Sequence, residues 1–77
     1  MKTHHLKISE KYFDAVERRI KNAEVRYNDR DYNVGDWLVL NEWDGIEYTK
    51  RWVVRQITYI VKLDEIGLKN WVLLCMN

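Results

Sequence analysis

Proline is absent from this chain and glycine nearly so, with three in 77 residues. That excludes a Pro-rich or Gly/Ser-rich linker, and no low-complexity stretch or internal repeat of useful length occurs, so residues 1–77 read as one domain. Cysteine is confined to Cys75, which excludes an internal disulfide, and a domain this small without such a staple fits a reducing compartment. No run of about 18 apolar residues marks a membrane span and no charged-then-apolar leader marks export. The expected location is cytoplasmic, with no membrane partner. Charge of one sign is lacking too: 13 Lys+Arg against 12 Asp+Glu leave a net +1, which excludes the strongly basic class of nucleic-acid binder. His4-His5 has no companion His, Cys or carboxylate at a ligand spacing, so neither a metal nor a cofactor is expected.

Aromatic and apolar residues are plentiful. The hydrophobic fraction is 47 %, with four tryptophans, five tyrosines and one phenylalanine, a composition of folded rather than disordered chains. At this length a single core is only marginally sufficient, so every apolar run must contribute. Most of the tryptophans and tyrosines are expected in the core, with Tyr48 and one tryptophan left for a cleft.

The pattern predicts a short strand over His4–Ile8, then Ser9 as the N-cap of a helix. Tyr12, Phe13, Val16 and Ile20 form the apolar stripe of that helix, which should end near Arg19 or Ile20. A strand is predicted from about Asn22 to Tyr27, with Glu24, Arg26 and Asn28 on one face. Asn28-Asp29-Arg30-Asp31 reads as a turn. Gly35-Asp36 ends the loop, and a strand runs from Trp37 towards Trp43. Asp44-Gly45 is the hairpin signal, and the return strand starts near Tyr48, either continuing through Val54 or breaking at Lys50. Arg51–Val61 is a long β-branched and aromatic strand, Leu63–Lys69 a loop or single helical turn around Gly67, and Trp71–Met76 a closing strand. The fold class expected is α+β: an antiparallel, partly closed β-barrel of about five strands with one N-terminal helix.

Charge is bunched although its sum is small. From Arg18 to Arg30 five basic residues (Arg18, Arg19, Lys21, Arg26, Arg30) face two acidic ones (Glu24, Asp29), a local excess of three. Glu24 and Arg26, two apart on a strand, can share a face. There they either form an exposed ion pair worth little or fix Arg26 for bidentate contact with phosphate or a base edge. Lys21 has the wrong parity and joins them only if the chain bends after the helix. Asp36 reads as a turn-fixing acceptor rather than a catalytic acid.

The segments His4-x-Leu6-Lys7-Ile8, Tyr12-Phe13-Asp14-Ala15-Val16, Lys21-x-x-Glu24-x-Arg26, Asn28-Asp29-Arg30-Asp31, Val34-Gly35-Asp36 and Tyr48-Thr49 together give a chain that resembles a small bacterial and phage domain of unknown function. That domain is grouped with the ASCH (activating signal cointegrator homology) domains of the PUA-like superfamily. The resemblance implies a PUA-like barrel and a cleft beside Lys-x-x-Glu-x-Arg that takes RNA or a modified nucleoside. The ligand-binding set expected is Lys21, Glu24, Arg26, Asn28, Arg30, His4, Lys7, Tyr48, Thr49 and Arg51. Arg19 and Lys50 stand where the resembled family has glycine; at a helix C-terminus glycine supplies left-handed backbone without Cβ strain, so Arg19 implies a different or strained cap.

Three functions follow as expectations. The first is a small RNA- or nucleotide-binding module. The second is a hydrolase of a modified nucleoside: some PUA-like relatives cleave acetylated cytidine with a lysine and a threonine three residues on, but here Lys21 is followed by Glu24 in the threonine's place. Lys21 and Glu24 are the catalytic candidates on that reading, and it ranks below plain binding. The third is a protein-interaction module, such as a phage-encoded host modulator, docking through tryptophans near the Asp44-Gly45 hairpin.

Overall fold

Inward-facing residues alternate with outward ones along almost every strand of the computed structural model, which describes all 77 residues. Strand β1 (Thr3–Ser9) buries His4, Leu6 and Ile8, and helix α1 (Glu10–Glu17) follows directly. The Ser9 hydroxyl accepts the Lys11 amide at 3.2 Å, the N-cap role its side chain suits. Strands β2 (Ala23–Tyr27), β3 (Trp37–Trp43), β4 (Tyr48–Lys62) and β5 (Trp71–Met76) complete one five-stranded sheet, with a 3-10 turn at Leu63–Ile66 between the last two. Phe13 and Val16 of α1 press on the same face as Leu6, Ile8, Leu38, Leu40, Ile57, Leu74 and Met76, and this is the core.

The α+β class stands, but the sheet is not an antiparallel barrel. Its order is β1-β3-β4-β5-β2, and β1 pairs with β3 in parallel. Parallel neighbours need a crossover, supplied here by α1, β2 and the loop to Trp37. The sheet curls because β4 serves two partners. Its first part pairs with β3 from Tyr48 to Gln56, its last part with β5 from Ile57 to Lys62, and the register slips where one pairing gives way to the other. The two edge strands, β1 and β2, form no ladder with each other. Between them run two side chains: an Arg26 amino group donates to the Lys7 carbonyl, and Arg30 Nη1 donates to the His5 carbonyl at 3.0 Å. The sheet stays open, and guanidiniums rather than backbone bridge its two edges.

Helix α1 ends earlier than its stripe suggests, at Glu17, and Tyr12 and Ile20 stay exposed. The Ile20 amide bonds the Ala15 carbonyl at 2.8 Å and the Arg19 amide bonds the Val16 carbonyl at 3.0 Å, the paired bonds of a Schellman ending. Arg19 occupies its left-handed position with φ 60°. An arginine therefore performs the glycine role with its Cβ in place. Lys50, the second position where glycine was expected, is also left-handed at φ 71°, inside a bulge that leaves β4 unbroken.

Candidate functional site

The turn after α1 corrects the parity of Lys21. Ile20 and Lys21 both donate their amides to the Ala15 carbonyl, which folds the chain back and brings the Lys21 ammonium onto the Glu24 carboxylate and the Ala23 carbonyl. Glu24 points inward from β2 and is buried. Its second oxygen lies 3.3 Å from the Arg26 guanidinium. Ammonium, carboxylate and guanidinium thus converge at the β2 edge. A hollow of about 460 Å³ opens there, lined by Tyr12, Lys21, Asn22, Ala23, Glu24, Val25 and Leu73. The Lys21 ammonium is 5.7 Å from the Tyr12 ring centre. A second hollow of about 300 Å³, between Val25, Arg26, Tyr27, Asp29, Arg30 and Trp71, lies further along the same strand.

The remaining expected site residues go elsewhere. Asn28 accepts the Tyr32 amide through its side chain at 3.3 Å and shapes the loop. His4 is not on a surface strand face: it is buried, with Nε2 2.8 Å from Asp36 Oδ2 and its ring edge-on to Tyr32. Asp36 also accepts the Lys2 and Asn33 amides. The His4 hydrogen bond, then those amides against the opposing effect of burial, hold its carboxyl below the ordinary 3.8. That is the turn-fixing role expected of Asp36.

Thr49 and Arg51 belong to a carboxylate that the sequence reading did not single out. Glu42 is buried on β3, and Arg51 grips it bidentately at 2.9 and 2.7 Å while the Thr49 hydroxyl donates to the same oxygen as Arg51 Nε. The bulge around Lys50 places extra residues opposite Glu42, so that two β4 side chains reach one carboxylate. Arg51, then Thr49, depress the Glu42 carboxyl below 4.5, and Glu42 raises the Arg51 guanidinium above its ordinary range. Arg51 also packs over Phe13, 4.6 Å from the ring centre, and lies 3.5 Å from Asp14. Arg55 was overlooked as well. It is buried, donates to the Val16 and Glu17 carbonyls at the end of α1 at 3.0 and 3.3 Å, and leaves its Nε without a partner. A signal existed for both. In Leu38-x-Leu40-x-Glu42 and Val53-x-Arg55-x-Ile57 a charge occupies an inward position of an apolar stripe.

Lys7 and Tyr48 point to the outside of the sheet. The registers align four rows across β1, β3 and β4: Thr3-Trp37-Gln56, His5-Val39-Val54, Lys7-Asn41-Trp52 and Ser9-Trp43-Tyr48. Lys7 Nζ stands 3.8 Å over the Trp43 ring, which meets Tyr48 edge-on at 5.0 Å. No group of three or more His, Cys, Asp or Glu side chains is placed to hold a metal ion, and no helix is long and apolar enough to cross a membrane.

Residues 3–76 match the model of a family described as a domain of unknown function, DUF3850. The chain is also 42 % identical over 73 residues to an uncharacterized 12.9 kDa protein in the GpA 3′ region of Escherichia phage P2, an alignment that covers 95 % of this chain and 66 % of that protein. The chain therefore spans just under two thirds of the phage protein's length.

Proposed function

The chain belongs to the DUF3850 family, and from the geometry of the β2 edge we propose that it is a small RNA- or nucleotide-binding module, the reading that its resemblance to ASCH-related, PUA-like domains implies. The observation that carries it is the Lys21–Glu24–Arg26 cluster at the β2 edge, where Lys21 and Glu24 line the open hollow beside Tyr12 and Arg26 lines the adjoining one. Two cations against one carboxylate leave a local charge of +1. Glu24 fixes both partners in place, which lowers the ordering cost of an incoming anion. An ammonium has three N–H donors and a guanidinium five. Lys21 has spent two of its donors and Arg26 two, so both retain donors for phosphate oxygens or a base edge. The half-exposed Tyr12 ring supplies a stacking face.

Binding is favoured over hydrolysis because the hydroxyls nearest the clusters are engaged. Ser9 caps α1, and Thr49 donates to Glu42, whose carboxyl Arg51 holds below its ordinary range and so makes a poor general base. The test is a mobility shift of short RNA and a titration with nucleoside monophosphates, each at low and moderate salt. Arg26→Ala should raise Kd about tenfold, equivalent to about 1.4 kcal/mol, and Lys21→Gln should reduce the salt slope. No binding at low salt, or unchanged affinity in both variants while the fold is intact by circular dichroism, overturns the proposal.

A further inference from the structure

The outside of the β1-β3-β4 sheet is covered by no other part of the chain, since α1 and the core occupy its opposite face. Trp37 is 41 % exposed, Trp52 59 % and Tyr48 51 %. A marginal domain gains nothing from leaving such large rings in water. Its charge pattern is one-sided as well. None of the four rows of three residues contains a carboxylate, although the chain carries 12, whereas Lys7 and His5 both point outward there. Along the β1 border the Arg26 and Arg30 guanidiniums sit on the Lys7 and His5 carbonyls, Arg26 3.3 Å from Glu24 and Arg30 3.9 Å from Asp29.

The other outer face, across β2, β5 and the end of β4, differs. Its outward positions, among them Val25, Tyr27, Leu73 and Tyr59, contain no charged residue, and charged groups of both signs, Lys21, Glu24, Arg26, Asp29 and Arg30, meet it only in the hollows along the β2 edge. Aromatic rings without cations suit an apolar protein surface. Aromatic rings beside a lysine and an imidazole N–H donor, free of carboxylates, suit stacked bases on a phosphodiester chain, because bases stack on flat rings irrespective of sequence while phosphates seek the ammonium and the N–H. We propose that the outer face of β1-β3-β4 is a stacking platform for single-stranded RNA, with Trp37, Trp52 and Tyr48 as base-stacking residues and Lys7 and His5 as phosphate contacts. This extends the reading of the β2 hollow, with which it shares Arg26, and can fail separately from it.

Three of the four tryptophans lie on this face, so intrinsic fluorescence reports occupancy directly. A short single-stranded oligouridylate should quench it at low salt, and a duplex of equal length should compete poorly. Trp52→Ala should raise Kd about tenfold, and Trp52→Phe should restore most of the affinity. Retained affinity in Trp52→Ala and Tyr48→Ala alike, absence of quenching, or self-association by sedimentation that Trp52→Ala abolishes each overturns the platform, the last by assigning the face to a second copy of the chain. Lys21→Gln separates the two proposals. Mononucleotide binding lost in Lys21→Gln with oligouridylate binding unaffected by Trp52→Ala leaves the hollow and removes the platform; oligouridylate binding lost in Trp52→Ala alone, with no mononucleotide bound by the wild type, does the reverse.

Discussion

Glu42 and Glu24 are two carboxylates drawn inside one sheet and held in opposite ways. Glu42 lies on an interior strand, and its partners, Arg51 and Thr49, come from the neighbouring strand, so the ladder itself fixes the pair. Glu24 lies on an edge strand, and its partners come from its own stretch of chain, three residues before and two after. The first carboxylate is saturated by a bidentate arginine and a hydroxyl, with no hollow at it. The second is shared between two cations that keep donors to spare, beside open space. Position in the sheet thus decides whether a buried acid becomes a fastening or a receptor: cross-strand partners lock it, and same-strand partners leave a side uncovered.

The sharpest way to break that contrast is Arg51→Ala, which leaves Glu42 buried without its counter-ion. A fall in Tm on the order of 10 °C or more is expected, and a smaller one would make Glu42 no more a fastening than Glu24. Glu24→Gln should cost less, about 1–3 kcal/mol in urea unfolding, yet it should weaken nucleotide binding despite adding net positive charge, because Lys21 and Arg26 lose the group that aligns them. Tighter binding instead would show plain charge attraction and no built receptor.

Acid tests the grip on Glu42 next. Because its folded carboxyl titrates below the ordinary 4.5, Glu42 contributes stability that is fully present above about pH 4.5 and lost as pH falls through the lower folded value. In that window the unfolded chain binds more protons than the native one, so stability rises with pH. The urea midpoint of wild type should therefore exceed that of Glu42→Gln at neutral pH and approach it in acid. A residual acid loss should persist in the variant, since Asp36 is also depressed, below 3.8. The smallest expected effect is a gain. Arg19→Gly and Lys50→Gly each relieve a left-handed Cβ and should stabilise by about 1 kcal/mol, less the extra backbone freedom that glycine brings to the unfolded chain. Lys50→Gly should leave the grip on Glu42 unchanged, as measured by the same acid comparison.

Much of the fold was legible because period-two alternation is local. His4–Ile8, Trp37–Trp43 and Trp71–Met76 are strands close to where their patterns put them, Ser9 caps the helix, and Asp44 closes the hairpin by accepting the Ile46 and Glu47 amides. Strand partnership was not legible. Alternation tells which side of β1 is buried and is silent on whether β1 joins β3 or β2, so a barrel was expected where an open mixed sheet exists. The site was legible in part for the same reason. Glu24 and Arg26 shared a face by parity alone, while Lys21 reached them through a Schellman turn that has arginine at its glycine position. Thr49 and Arg51 carried no sign of a partner until Glu42 was seen to occupy an inward position.

The guanidiniums lying on the Lys7 and His5 carbonyls bear on the protein's life in a crowded solution. A bare strand margin is a template on which a foreign strand can grow, and natural sheets blunt such margins with charge. Arg26 and Arg30 occupy two of the acceptors that an incoming chain would use and bring positive charge to the spot. Shortening either arginine therefore carries a cost independent of any ligand: it reopens a seam along which copies of the molecule can zip together and precipitate.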